Sequence, residues 1–244
     1  MSFSVVIPSR NAANLTACVR AIREADETCR IIVVDDGVDW PTDEPPAAWG
    51  NFEAIMGNRP FIFSRNVNIG IQWADTDDVL LLNDDAVLVT PHGFTRLAEE
   101  CARGGWGLVA STCNNVGNEN QFRRRIPDQM HARPEPRMVC FAAVYIPRAT
   151  IEAVGLLDER FVDYGCEDDD YCLRVRSAGL KIGIFDGCFV DHGSLTSSFR
   201  SAAGAGGNFK PNLARFIEKW GFDNRGLSYE ASPWKHLWPK AEAR

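Results

Sequence analysis

An α/β protein, with a mostly parallel central sheet and flanking helices in a single compact unit, is what the sequence predicts, on three observations. Short β-branched or apolar runs alternate with segments of helical spacing, the pattern of strands joined by crossover helices. Ile31 to Val34 and Val79 to Leu82 are apolar at every position, as strands buried between two helix layers are. The early runs also stop on turn-forming polar residues, at Pro8 to Asn11, Asp35-Asp36-Gly37 and Asn83-Asp84-Asp85.

Taken in order, Phe3 to Pro8 is a strand ending in proline. Leu15, Cys18, Val19 and Ile22 then mark a helix over Ala12 to Ala25. Arg30 to Val34 is the second strand, and a loop rich in proline and acid follows from Val38 to Trp49. Asn58 to Ser64 is predicted as another strand, Val67 to Ala74 as a helix, and Asp78 to Leu82 as a strand, with strand-like Ala86 to Val89 after it. In the second half, Gly107 to Ser111, Met138 to Ile146, Lys181 to Phe185 and Cys188 to Val190 are predicted strands. Arg148 to Val154 and Asp168 to Ala178 are predicted helices. Ser201 to Asn208, small and glycine-rich without an apolar anchor, is expected to be mobile, a linker or lid. Asn212 to Trp220 returns to helical spacing, and the last dozen residues, with Trp234 and Trp238, are expected to pack as a terminal arm.

Composition narrows the function classes. At 244 residues, 45% apolar and 24% charged, the chain has the balance of a folded protein with a core of useful size. Thirty-three acidic against 26 basic residues give a net charge of −7, so no general positive field draws in nucleic acid. No apolar run approaches the ~20 residues of a membrane helix. A strand begins at residue 3 with no charged-then-apolar leader before it, so no cleaved export signal is expected. The eight cysteines form no Cys-x-x-Cys pair, which fits reduced thiols in a cytoplasmic protein and gives no zinc signature.

Acids gather where the chemistry of such a sheet is located. Ligands of open α/β sheets sit outside the carboxyl ends of the parallel strands. Here that edge carries Asp35 and Asp36 on one strand and Asp84 and Asp85 on another. Carboxylates would repel a bare diphosphate, so the arrangement suits one pair holding a divalent cation and another accepting hydrogen bonds from a base or ribose. A nucleoside diphosphate with Mn or Mg meets both demands. Plainer readings compete. Asp-Asp-Gly is ordinary turn chemistry, and Asp84 and Asp85 could cap a helix, though a strand-like stretch follows them. Glu167 to Asp170 opens a predicted helix, where acids complement the dipole and Asp170 is spaced to pair with Arg174. Four consecutive carboxylates exceed what capping needs, and their repulsion would raise at least one pKa, as suits a general base. Gly165-Cys166 lets the chain turn sharply before them. His192 is either a further metal ligand or simply hydrogen-bonded. Arg123 to Arg125 reads as a solvated or flexible basic stretch.

In this order the motifs resemble the inverting nucleotide-sugar glycosyltransferases of the GT-A fold, the family-two group that includes bacterial rhamnosyltransferase-like enzymes, over about residues 3 to 220. VVIPSRN at 5 to 11 is similar to that family's opening strand and loop, IIVVDDG at 31 to 37 to its base-contacting motif, and SRNVNIG at 64 to 70 to its donor-lining segment. LLLNDDA at 80 to 86 resembles its Asp-x-Asp metal motif, with Asn83 in the first acidic position. GCEDDDYCLRVRSAGLKI at 165 to 182 is the most specific match. VDHG at 190 to 193 and NLARFIEKWG at 212 to 221 follow.

The resemblance implies Asp168 as catalytic base, with Glu167 orienting the acceptor. It implies donor contacts from Pro8, Arg10, Asp35, Asp36, Arg65, Asn68 and Asp84, and a Mn or Mg ion on Asp85 and His192. It implies a nucleotide-sugar-binding half over residues 1–110, an acceptor-binding and catalytic half over 111–200, and a mobile loop with a C-terminal helix or arm over 201–244. Its substrates would be a nucleoside-diphosphate sugar and a hydroxyl-bearing glycan, glycolipid or protein. Sugar-phosphate nucleotidyltransferases share such a sheet but need a glycine-rich loop after the first strand, and IPSRNAAN contains no glycine. A catalytically dead sugar-nucleotide scaffold would have lost acids from the 167–170 run, and all four are present. A nucleic-acid-modifying transferase would have to use the local basic stretch at Arg123 to Arg125.

Overall fold

The computed structural model describes residues 2–25, 28–40, 49–125, 131–135, 137–162, 165–197 and 209–223. The elements are β1 (Phe3–Ser9), α1 (Ala12–Glu24), β2 (Arg30–Asp35), β3 (Phe52–Met56), α2 (Phe63–Trp73), β4 (Asp78–Leu82), β5 (Val87–Leu88), α3 (Gly93–Gly104), β6 (Leu108–Cys113), β7 (Ala132–Pro134), β8 (Ala143–Ile146), α4 (Arg148–Val154), α5 (Glu167–Ser177), β9 (Ile182–Asp191) and α6 (Phe209–Trp220). All nine strands join one sheet, in the order β3-β2-β1-β4-β8-β6-β9-β5, with β7 paired to β9.

The sheet is mixed. β3, β2, β1 and β4 run parallel, as expected for the first half. β8 enters antiparallel between β4 and β6, while β6 and β9 are parallel to each other. Strand alternation splits the core into two layers. Val6, Ile32, Val34, Val79 and Leu81 face one way, onto Val67 and Ile71 of α2 and Leu173 and Val175 of α5. Val5, Ile7, Ile31, Val33, Leu80 and Leu82 face the other, onto Leu15, Val19 and Ile22 of α1 and Phe94, Leu97 and Cys101 of α3. Because both faces are covered, the central strands are apolar throughout.

Local chemistry sets the helix starts. Asn11 caps α1, its side chain accepting from the Asn14 N–H at 3.0 Å. Gly70 lets α2 approach β1, since a Cβ there would lie 2.2 Å from Val6. Gly165 and Cys166 both have positive φ, 83° and 72°, and swing the chain directly into α5.

Several sequence expectations are corrected. The strand expected at Asn58 to Ser64 is instead β3 at Phe52–Met56, and α2 already begins at Phe63. The local run Phe61 to Ser64 cannot both extend and start the helix whose apolar face packs on β1. Only Ala143–Ile146 of the long Met138 stretch is strand, because the residues before it line a cavity. The two late strands are one, β9, whose register against β6 shifts between Ser111 and Thr112. α3 and β7 were not anticipated. Ser201 to Asn208 and the last dozen residues lie outside the described residues. No helix among the described residues is long and apolar enough to cross a membrane.

Candidate active site

A cavity of about 360 Å³ opens at the carboxyl ends of β1 and β4, the edge where ligands of parallel strands are expected. Pro8, Asn83, Asp84, Asp85 and His192 line it together with Gly165 to Asp169. Phe61, Phe63, Phe141 and Phe209 add aromatic wall, and Arg137 is the one arginine or lysine among the lining residues.

A tight turn after β4, closed by the Ala86 N–H on the Asn83 carbonyl at 3.1 Å, presents the two aspartates. Ser9 Oγ donates to Asp84 Oδ2 at 2.7 Å. Burial, with the neighbouring Asp85 charge, pushes the Asp84 carboxyl up to about 6 against the opposing hydrogen bonds of Ser9 and Asn14 and the charge of Arg10. Asp85 is buried, and its Oδ1 lies 3.1 Å from Nε2 of His192. Nδ1 of that imidazole meets the Asn115 carbonyl at 2.7 Å, and the His192 N–H donates to Asn114 Oδ1 at 2.9 Å. Burial disfavours the imidazolium, but hydrogen bonds to Asp85 and Cys113 and the Asp85 charge outweigh it and lift His192 to about 10.

The acidic run at the head of α5 divides by surroundings. Asp170 is fully buried and structural: it binds Arg174 at 3.0 Å, Trp220 Nε1 at 2.8 Å and Lys219 Nζ at 2.7 Å. These contacts fasten α6 to α5. Glu167 and Asp168 instead face the cavity. They keep an opening to it while being sunk deep among protein atoms, so burial drives both shifts. The Glu167 carboxyl is pushed well above the ordinary range, by burial first and the Asp168 charge second. Asp168 is raised to about 6 by burial, although nearby backbone N–H groups, among them that of Asp169, which donates to Oδ1 at 2.9 Å, pull the other way. Repulsion within the run is thus the lesser cause.

The remaining predicted residues lie elsewhere. Asp35 builds the turn after β2, accepting from the Gly37 and Val38 N–H groups at 2.7 Å and from Trp40 Nε1 at 3.0 Å. It also lines a second cavity with Ala54 to Gly57 and Arg59. Asp36 is buried, and burial raises its pKa against the charges of Arg59 and Arg10. Arg10 is exposed and acts on both Asp36 and Asp84.

Arg65 and Asn68 are not brought to the main cavity. Arg65 pairs with Glu159 at 3.3 Å, and the buried Asn68 side chain binds the Leu157 backbone on both sides, at 2.9 Å each, so these two hold the 157–159 loop on α2. Asn66, in the same motif, accepts from the Asn58 N–H at 2.7 Å and lies close enough to Asp36 to favour its charged form. The reading of Arg123 to Arg125 as merely solvated is corrected at Arg123, which lies 2.8 Å from the buried Asp186. Arg137, Phe209 and Asn115 carried no local sequence signal, since each reaches the cavity only through the tertiary fold. Ser9 and Asn66 sit inside motifs already singled out.

The chemistry of this donor set suits Mn or Mg. Asp85 offers a carboxylate beside an imidazole, Asp84 a second carboxylate, and Asn83 Oδ1 is buried with no hydrogen-bond partner among the described residues. Among the described residues no three His, Cys, Asp or Glu side chains form a closed metal cage. An open set fits a hard cation that takes one or two protein ligands and completes its shell from substrate phosphates and water.

Comparisons with known proteins bear on the family and the fold. The family model for glycosyl transferase family 2 matches residues 4–146. An uncharacterized protein of Sinorhizobium fredii (strain NBRC 101917 / NGR234), y4gI, is 26% identical over 210 residues, 73% of this chain but 23% of that protein's length. Among solved structures, GalNAc-T7 with UDP, GalNAc and Mn²⁺ superposes with a TM-score of 0.64 at 14% identity, over 79% of this chain and 44% of that one. The mannosyltransferase PcManGT from Pyrobaculum calidifontis, in complex with GDP-Man and Mn²⁺, gives 0.60 at 15% identity, over 82% and 59%. S. aureus TarS 1-349 gives 0.58 at 15% identity, over 78% and 60%. The chain thus spans about a quarter of its sequence relative and about half of these structures, which share its fold. With the family model covering more than half of the sequence, the chain belongs to glycosyl transferase family 2.

Proposed function

We propose that the protein is an inverting, divalent-cation-assisted glycosyltransferase, moving a hexose or deoxyhexose from a nucleoside diphosphate to a hydroxyl of a glycan, glycolipid or protein. One observation carries the reading: the carboxylate of Asp168 and the Asp85–His192 pair face the same cavity. The structural neighbours in complex with UDP or GDP-Man and Mn²⁺ support a nucleotide sugar as the donor.

Asp168 takes the proton of the acceptor hydroxyl as its oxygen bonds to the anomeric carbon. The bond from that carbon to the diphosphate oxygen breaks, and its electron pair leaves with the nucleoside diphosphate. Attack opposite to departure inverts the anomeric configuration. A carboxyl raised by burial retains basicity near neutral pH, where a surface aspartate is a very weak base. Asp85 and His192 would hold Mn or Mg, with Asp84 beside them, and the bound cation would supply positive charge against the departing diphosphate. Glu167 orients the acceptor. Pro8, Arg10, Asp35 and Asp36, with Asn66, border the donor's nucleoside side.

In this reading residues 1–110 carry the donor, 111–200 carry acceptor and base, and α6 closes the acceptor wall through Phe209. The eight free thiols support a reducing compartment, the cytoplasm. A nucleic-acid acceptor is disfavoured by the net charge of −7 and by the pairing of Arg123 with Asp186.

A thermal-shift screen of UDP-, GDP- and dTDP-sugars with Mn should find one donor that raises Tm. Proton NMR of the transferred sugar should then show the anomeric configuration opposite to the donor's. Retention of configuration, or binding with neither transfer nor donor hydrolysis over a broad acceptor panel, overturns the proposal.

A further inference from the structure

Among the described residues, Arg137 is a cation with no partner in a cavity rich in acids. Asp84, Asp85, Glu167, Asp168 and Asp169 all line that cavity with it. The Arg137 backbone N–H donates to Glu135 Oε1 at 2.9 Å, but its guanidinium makes no hydrogen bond or ion pair among the described residues. The acids are engaged elsewhere: Asp85 lies 3.1 Å from His192, Asp84 accepts from Ser9 at 2.7 Å, and Asp168 accepts from the Asp169 N–H at 2.9 Å. Even Glu167 Oε2, buried with no hydrogen-bond partner among the described residues, does not draw the guanidinium to it. A half-buried arginine that balances no carboxylate of the protein is placed to take an anion from outside.

The backbone sets this cation apart from the turn that presents Asp84 and Asp85. Residues 135–142 lie along α5. The Glu135 carbonyl accepts from Arg176, the Val139 N–H donates to Cys172 Sγ at 3.5 Å, and the Phe141 ring meets that of Tyr171 with centroids 5.9 Å apart. At Ala142, whose carbonyl accepts from the Asn83 N–H at 3.0 Å, the segment reaches the Asp84–Asp85 turn. Arg137 precedes that contact by five positions, between the levels of Arg176 and Cys172, and extends its side chain to the cavity. Cys172 is about one helical turn beyond Asp168. The guanidinium therefore enters from the wall built on α5, the helix of the proposed base.

We propose that Arg137 selects an anionic acceptor: the hydroxyl-bearing substrate carries a carboxylate or a phosphate, and the guanidinium holds that group while the hydroxyl faces Asp168. The inference deepens the glycosyltransferase reading and rests on it. In that reading the donor diphosphate already has a positive partner, the cation on Asp85 and His192. A second anion brought among these carboxylates is repelled unless a positive group meets it, and inside a cavity that attraction is stronger than in open water. The planar fork of an arginine matches carboxylate and phosphate alike. A neutral sugar gains nothing from it.

Matched acceptors separate the charge from the sugar. Methyl β-D-glucuronide and methyl β-D-glucoside differ by a carboxylate, and glucose 6-phosphate and glucose by a phosphate, so the two arms also tell which anion is taken. Each is titrated into the whole protein with Mn and UDP, and again with Mn and GDP. The ¹⁵N resonance of Arg137 Nε, assigned by its loss in Arg137→Gln, follows binding without turnover.

In at least one pair the anionic member should bind about tenfold tighter or more than its neutral partner, the scale of a hydrogen bond to a charged group, and should shift the Nε resonance. Arg137→Gln should abolish the preference, and Arg137→Lys, which keeps the charge without the fork, should retain part of it. Affinity for Mn with UDP or GDP should be unchanged in both variants. Equal affinity, or no binding, for both members of both pairs overturns the proposal. So does a preference that survives in Arg137→Gln, or a variant that loses affinity for UDP, GDP or UDP-glucuronate instead, which places Arg137 on the donor. Wild-type transfer to neutral acceptors as readily as to anionic ones sinks this inference and leaves the glycosyltransferase reading standing. Anion binding that depends on Arg137 without transfer from any donor sinks that reading and leaves the anion subsite.

Discussion

His192 is held from both sides, its Nε2 lying 3.1 Å from Asp85 and its Nδ1 2.7 Å from the carbonyl of Asn115. With Nδ1 turned to the Asn115 carbonyl, the buried imidazole sets Nε2 beside Asp85, the orientation of a metal-ligating histidine whose second nitrogen is held by the backbone. Asp85→Ala should therefore weaken the joint binding of Mn and nucleoside diphosphate by at least about tenfold, while leaving metal-free nucleotide affinity unchanged. Calorimetric titrations of the nucleotide with and without Mn measure this, and equal affinities in both conditions would remove the cation from the mechanism.

Asp168→Asn preserves the shape and hydrogen-bond acceptance of the side chain and removes its basicity. Transfer should fall by at least about a hundredfold, the lower end of what a general base contributes, with donor affinity within about twofold. Near-normal single-turnover transfer by this variant would assign the base to another group.

The same substitution should also stabilise the fold, and the sign follows from linkage. A carboxyl whose pKa is raised to about 6 on folding binds its proton more tightly in the native state than in the unfolded chain. Stability is therefore greatest below the unfolded value near 4 and falls as pH rises toward 6. Asp168→Asn carries no such penalty, so its Tm should exceed that of the wild type at pH 7. Each kcal/mol of difference is worth about 2–4 °C in a chain of this size, and the two proteins should converge near pH 4. Activity should run the opposite way, rising through pH 6 as Asp168 ionises. A wild type that melts higher than the variant at pH 7 contradicts the burial account of this residue.

Asp170, two positions along, is expected to behave in the reverse sense. Asp170→Ala strips Arg174, Lys219 and Trp220 of their shared partner inside the protein. The loss should be about 3–5 kcal/mol in urea unfolding, in line with breaking a buried, hydrogen-bonded pair. Because Asp170 makes no contact with the cavity, the folded variant should retain affinity for the donor. Unchanged stability would show that α6 is fastened by other contacts.

Much of this arrangement was legible in the sequence. The apolar runs of β1, β2 and β4 stop where the polar residues of the ligand edge begin, and Gly165-Cys166 before the acids marked the turn into α5. What the sequence withheld is set by long-range contacts. Nothing local separates Asp168 from Asp170, and their different roles come from Lys219 and Trp220, some fifty positions away. Arg65 and Asn68 looked like donor contacts because their motif did, yet the Leu157 backbone and Glu159 engage them, and Asn66 between them binds the Asn58 N–H. α3 could have been found, since Phe94, Leu97, Ala98 and Cys101 fall on one helical face. β7 could not: its three residues pair with β9 from the far side of a long loop.

Cation-holding and proton-accepting carboxylates are proposed to serve one bound donor. A crystal structure of the protein with Mn and the nucleoside-diphosphate sugar selected by the thermal-shift screen tests this, and the diphosphate should lie beside Asp85 and His192 with the anomeric carbon turned toward Asp168. A donor whose sugar points away from Asp168, or whose diphosphate lies out of reach of Asp85, would contradict it.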